Sequence, residues 1–364
     1  MRLPSPLPAW FGLAGLVFAL IQTLRVLATA GGDPSIFIQA GEERQWAVDY
    51  TSERLGAIEV APSVGHDGAL FFIQANDPWY LAPEENGNLL DRPTYRAQRM
   101  LYPVLASGLG ALPPTGVAWG LVVVNILAIG VGTWATASVA ESMGLNRWWG
   151  FTFALNPGAI HELRIDGGGA VALALSVVAI AAMYRGRPGW AAVALTGAVL
   201  ARETMIITAL GLLVVERVLN RKWRWWLVVL PAAGALLWAG YLRTRLTDPQ
   251  VGHDLTALDF PLRGLYIAIT EWIGIPGSHL AMGLLIVLLG THLAYKCWRN
   301  PTYLGWGSVG FALLAVFISE PVWRFSYDSS RAVAPIFIAW PLLVAPDLLR
   351  RRRPKVEVAT HQNA

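Results

Sequence analysis

Ten apolar windows, at 7–28, 115–139, 148–163, 168–184, 189–203, 204–219, 225–243, 277–298, 302–318 and 332–349, decide what this chain can fold into. About 20 consecutive apolar residues cross the hydrocarbon core of a bilayer as a helix. Some windows reach that length and others fall short of it. Inside lipid every backbone amide and carbonyl needs a partner within the protein, so windows of this kind span as helices. Only 14% of the 364 residues are charged, against about 25% in soluble domains, and mean hydropathy is +0.46. The predicted fold class is an all-α polytopic membrane bundle of about 10 or 11 spans.

The N-terminal MRLPSPLPAWFGLAGLVFALIQTLRVLATAGG has a basic start, an apolar middle and a small-residue end, the pattern of a signal peptide. Its apolar stretch is of spanning length and many spans follow, so an uncleaved first helix is expected. The stretch RMLYPVLASGLGALPP (99–114) is apolar but interrupted by Pro103 and glycines. It either crosses or re-enters, and a scheme of ten crossings leaves it re-entrant.

Basic stretches set the orientation. The tail RRRRPK (350–355), NRKWR (220–224), RGRPG (185–189) and the turn at Arg299 should be cytoplasmic. Residues 31–98 hold eleven acidic and four basic side chains and suit the opposite side. One integrated domain, 1–349, is expected, with 31–98 as its first extracytoplasmic loop and 350–364 as a basic cytoplasmic tail. Abundant tryptophan, 17 residues, fits anchoring at headgroup level, and Trp223, Trp225 and Trp226 read as part of such a belt. A net charge of +4 with no basic domain argues against nucleic acid. A single cysteine, Cys297, excludes an internal disulfide and a cysteine-built zinc cluster.

Unexplained polar residues converge on the extracytoplasmic side: in 31–98, HELRIDGGG (161–169), ARET (201–204), the loop 244–276 and EPVWRFSYDSSR (320–331). Ionisable groups near membrane depth are costly and usually line a site or pathway. In GHDGALFFIQANDPWY (65–80), Asp67 precedes an apolar helix. It can serve as that helix's N-cap or as a general base at the bilayer surface, and the two roles are compatible. In LLDRPTYRAQRMLYP (89–103), Asp91 and Pro93 read as a helix start. Arg92, Arg96 and Arg99 then share one helical face. They either snorkel to lipid headgroups or bind phosphate, which the planar guanidinium fork grips at two points. Asn156-Pro157 should break its helix, as a kink or to free carbonyls into a cavity. His161, Glu162, Arg164 and Asp166 read as loop charges. Arg202 and Glu203 form an ion pair between short helices or take part in the site. Arg331 either pairs locally with Asp328 or meets phosphate.

The run GHDGALFFIQANDPW, a spacer, then LDRPTYRAQRMLYPVLA resembles the first-loop signature of GT-C integral-membrane glycosyltransferases, closest to bacterial mannosyltransferase-like members. The resemblance continues more weakly in FALNPGAI, LARET and YDSSRAVAPIF, from Ile36 to about Pro341, and only the first loop is specific. It implies a multi-pass enzyme of the bacterial inner membrane with its site on the extracytoplasmic side. That enzyme would move a hexose or pentose, with inversion, from a polyprenyl-phosphate donor to a lipid or glycan acceptor of the cell envelope. Asp67 would be the base, with Asp77 the second candidate, and Arg96 and Arg99 would stabilise the leaving phosphate. His66, Arg92, Arg202 and Arg331 complete the expected substrate contacts. A monophosphate leaving group needs only arginine, so no metal and no cofactor are expected. The chain departs from the signature at His66, where an aromatic is expected, and at Phe71-Phe72, where the pattern carries tyrosine. His66 can tune Asp67 or bind sugar, whereas Phe71 and Phe72 lack hydroxyls and can only pack. The alternative from another class is a flippase for lipid-linked sugars or a small-solute transporter, with a silent envelope scaffold as a third.

Overall fold

The computed structural model describes residues 10–112, 115–247, 258–273 and 277–351. Among these residues the secondary structure is helical, with isolated bridges that include Ala40 to Gly65, Gly41 to Ala61 and Leu258 to Ile318. Helix α1 (Trp10–Thr29) leads into a loop of short helices: α2 (Ser35–Ile38), α3 (Gln45–Leu55), α4 (Asp67–Asn76), α5 (Pro93–Arg96) and α6 (Leu101–Ser107). Helix α7 (Gly116–Ser142) follows, then the short α8 (Phe151–Ala154) and α9 (Pro157–Arg164). Next come α10 (Gly169–Tyr184), α11 (Pro188–Ala201), α12 (Ile206–Asn220), α13 (Trp226–Arg245) and α14 (Arg263–Trp272). The chain closes with α15 (Ser278–Arg299), α16 (Tyr303–Phe317), α17 (Glu320–Trp323), α18 (Ser326–Ala332) and α19 (Ala334–Arg351).

Helices α1, α7, α13 and α15 are long and apolar enough to cross a membrane. Helices α10, α11, α16 and the 334–345 part of α19 are apolar but shorter. Sixteen-residue α10 is about 24 Å long, less than the roughly 30 Å of a bilayer core. The expectations for residues 1–9, for 248–257 and 274–276 of the loop, and for the tail past Arg351 lie outside the described residues.

Two apolar stretches do not form spanning helices. Window 148–163 is not one helix. The ladder stops at Leu155, and Asn156 caps α9 by accepting from the amides of Gly158 (3.0 Å) and Ala159 (3.3 Å). Pro157 takes the first helical position, where its missing N–H costs nothing. The Asn156 side-chain amide donates to the Ala334 carbonyl at 2.9 Å, which ties α9 to α19. Asn156-Pro157 is thus a structural joint. The stretch 99–114 does not cross, because α6 covers only about 10 Å. It lies on the first turns of α7, where the Tyr102 hydroxyl donates to the Leu121 carbonyl at 3.0 Å.

Close packing through small residues holds the long helices together, as expected where lipid supplies no hydrophobic drive between them. Gly15 faces Thr133, and a Cβ on it would lie 2.6 Å from that hydroxyl. Leu27 at the other end of α1 meets Val122, so α1 and α7 run antiparallel. Gly211 of α12 sits against the backbone of Trp306 in α16 with no room for a side chain. Contacts of this kind bring residues 65–67, 91–99, 162–169, 201–203 and 326–331 to one end of the bundle. Residues 147–150, 185–190, 220–226 and 299–303 lie at the other.

Gly211→Leu should therefore wedge α12 from α16 and cost about 1–3 kcal/mol. A thermal melt in detergent checks this, with Gly189→Leu, which meets open space, expected to leave the midpoint unchanged.

Candidate functional site

Asp67 is positioned by backbone. Gly65 adopts φ +74, a conformation that favours glycine, and the His66 amide donates to the Gln39 carbonyl at 3.1 Å. Gly68 is wedged among the carbonyls of Phe37, Ile38 and Ile165, where a Cβ would come within 2.8 Å of all three. Asp67 is the first residue of α4, and no side-chain capping bond forms there. The capping role is not the one realised. The carboxylate turns instead to three guanidiniums: Arg331 at 2.7 Å, Arg96 at 3.4 Å and Arg99 at 3.8 Å. Burial works to raise the Asp67 pKa, but Arg331, Arg96 and Arg99 outweigh it and hold the carboxyl well below the ordinary aspartate value. Behind it α4 is buried from Gly68 to Ala75. Phe71 meets Tyr102 edge-on at 5.1 Å and Phe72 meets Tyr50 at 6.2 Å, so both phenylalanines pack.

Arg331 is the hub of the web. One guanidinium reaches Asp67 at 2.7 Å, Glu162 at 2.8 Å and Asp328 at 3.2 Å. Glu162 is 2% exposed and accepts two further hydrogen bonds, from the Gly169 amide at 3.0 Å and from Arg202 at 3.2 Å. Arg96 binds Asp91 through two bonds of 2.9 Å. Arg99 binds Glu203 through bonds of 3.0 and 3.1 Å. The expected Arg202 to Glu203 pair is replaced: Arg202 crosses to Glu162, and Glu203 crosses to Arg99. Four guanidiniums thus face five carboxylates, Asp67, Asp91, Glu162, Glu203 and Asp328.

The other expected residues separate into two groups. His66 stands beside Asp67 in an aromatic cluster, 5.6 Å from the ring of His161 and 5.9 Å from that of Tyr327. His161 and Tyr327 stack at 4.6 Å. Burial pushes the His66 pKa below the ordinary histidine value. Arg92 begins α5 and is not one of the three guanidiniums on Asp67. Arg92, Arg96 and Arg99 do not share one helix, because α5 ends at Arg96 and α6 begins at Leu101. Asp77 closes the far end of α4, about 15 Å along the helix from Asp67. Both its oxygens accept from backbone amides, those of Leu81 and Ala82, each at 2.8 Å, so it organises a turn instead of joining the site.

Sequence reasoning passed over Glu162, His161 and Tyr327 as site members. For Glu162 a signal existed: an acid seven residues before an apolar helix and six after an Asn-Pro cap has little access to water. Among the described residues no His, Cys, Asp and Glu side chains gather into a set able to hold a metal ion. Comparison with protein-family models, characterised proteins and solved structures gives no match for this chain.

Glu162→Gln should leave Arg202 and Arg331 buried with too little negative charge. Breaking a buried pair in this way costs about 3–5 kcal/mol. Chemical unfolding in detergent should show that loss, whereas Asp91→Asn, at a carboxylate about one-third exposed, should cost less than about 1 kcal/mol.

Proposed function

We propose that this chain is an integral-membrane glycosyltransferase that moves a sugar from a polyprenyl-phosphate donor to a lipid or glycan acceptor at the extracytoplasmic surface. One observation carries the reading: a single carboxylate, Asp67, lies under Arg96, Arg99 and Arg331 at one end of a helical membrane bundle. A base and a set of two-point phosphate donors in contact are what displacement of a phosphate from a sugar requires. The first-loop resemblance points the same way. The concentration of Arg147, Arg185, Arg187, Arg221, Lys222, Arg224, Lys296 and Arg299 at the opposite end supports a cytoplasmic location for that end.

The reaction follows from these parts. Asp67 takes the proton of the acceptor hydroxyl, and its oxygen forms a bond to the anomeric carbon from the face opposite the phosphate. The anomeric C–O bond breaks, and its electron pair leaves on polyprenyl phosphate, which Arg96 and Arg99 stabilise. The aromatic cluster of His66, His161 and Tyr327 offers apolar ring faces beside the reacting carboxylate.

A carboxylate gripped by three guanidiniums is a weak base. The donor removes that obstacle. Its phosphate competes for Arg96 and Arg99, whose other partners, Asp91 and Glu203, are about one-third exposed and free to turn to water. Asp67 then loses part of its positive surroundings and gains proton affinity. Binding of donor therefore precedes and creates the base.

Asp67→Asn should fold, bind a phosphate-bearing donor analogue more tightly, and lose transfer by about 10²–10⁴-fold. Radiolabelled transfer in proteoliposomes and analogue titration measure both, and retained turnover would remove Asp67 from the role of base. The pH profile has a defined sign. In the free protein the Asp67 pKa lies well below the ordinary value, so kcat/KM should show no Asp67 limb above about pH 4. With donor bound the pKa rises, so kcat should fall on the acid side at higher pH than kcat/KM. Coincident acid limbs would contradict the unmasking step.

A further inference from the structure

Away from the charged web, a groove of about 810 Å³ runs along the outside of the bundle. Helix α10 forms its floor with Ala174, Val178 and Ala182, and α7 and α11 form its walls with Leu127, Val131 and Val193. Short side chains on α10 and on α11, including Ala194 and Gly197, create the hollow. Leu101 and Leu105 of α6 close it at the end nearest Asp67. At the opposite end it is closed by Arg185, Arg187, Trp134 and Trp190.

That second end is charged in a specific way. Arg185 ends α10 and lies over the Trp134 ring at 5.7 Å. Arg187 precedes α11 and is exposed. Neither makes a salt bridge among the described residues, and Glu141, whose charge acts on Arg185, is itself bound by Arg147. A smaller cleft lined by Arg187, Gly189, Trp190 and Val193 adjoins the groove, and the space beside Gly189 is open. Helix α11 begins beside that space, and its dipole favours an anion there.

We infer that this groove seats an anionic glycerophospholipid of the leaflet at the basic end of the bundle, with its phosphate between Arg185 and Arg187 and its acyl chains lying along α10. The apolar lining accounts for the chains, since a wall of Leu, Val and Ala offers them nothing but dispersion contact. The two arginines and the α11 N-terminus account for the charge. Basic pockets between transmembrane helices on the cytoplasmic side recognise anionic headgroups in this way. The two tryptophans place the boundary of the headgroup layer. The site needs only that the bundle lies in a bilayer, and it is independent of the sugar-transfer reading. The competing occupant is the isoprenoid tail of a donor threading down from Leu101, whose phosphate would lie at the other end.

The test uses the full chain in mild detergent, titrated with phosphatidylglycerol and phosphatidylcholine of identical acyl chains and read by native mass spectrometry. Wild type should retain phosphatidylglycerol about thirty-fold more tightly, from roughly a factor of five per arginine. Arg185→Gln with Arg187→Gln should bring phosphatidylglycerol to the phosphatidylcholine level, with an unchanged size-exclusion profile. Val193→Trp, which fills the groove, should weaken both lipids. Equal retention of the two lipids by wild type overturns the inference, and so does a preference that survives in the double variant. Polyprenyl phosphate that displaces phosphatidylglycerol and binds the double variant undiminished assigns the groove to a donor tail and overturns it too.

Discussion

The ion triplet Asp67–Arg331–Glu162 is the interaction on which the rest of the arrangement depends. One guanidinium spans two carboxylates from two different parts of the chain, at 2.7 and 2.8 Å. Glu162 is nearly sealed from water, so its charge is tolerable only because Arg202, Arg331 and the Gly169 amide surround it. Removing any one partner leaves an uncompensated charge in a poorly solvated place. That mutual need fixes α4, α9, α18 and the α11 to α12 junction relative to one another more firmly than apolar packing in lipid does.

The same web gives each of Arg96, Arg99, Arg202 and Arg331 at least one carboxylate partner. The carboxylates differ in how firmly they are held. Glu162 is locked by three donors, whereas Asp91 and Glu203 keep roughly a third of their surface in water. In the proposed reaction this difference in exposure directs the donor phosphate toward Arg96 and Arg99, while Arg331 and Arg202 keep the scaffold together.

The sequence made some of this legible and hid the rest, for physical reasons. Spanning length and hydropathy are local properties, so the helical class and windows such as 115–139 could be read from composition. The broken window at Asn156-Pro157 was legible as a kink because proline acts on its own turn. Asp67, Arg96, Arg99 and Arg331 were legible as polar residues that a membrane chain has no cheap way to carry. Of their partners only Asp328, three residues before Arg331, was legible. Arg202 and Glu203 are neighbours in sequence, but the extended backbone at Arg202 (φ −160, ψ 117) sends adjacent side chains apart, to Glu162 and to Arg99. Asp77 misled because an aspartate at a helix end looks alike whether it binds substrate or its own backbone amides.

Arg331 and Asp67 are separated by 264 residues of chain. The triplet therefore forms only once the chain has been made as far as α18. A growing chain that has emitted the first loop holds Asp67 with only Arg96 and Arg99 nearby, and one that has reached residue 202 holds Glu162 with a single arginine. Only when the segment before α19 emerges do the earlier acids receive their shared cation. The segment that carries α18 thus acts as a clasp, and a chain that stops short of it is an open ring of charges.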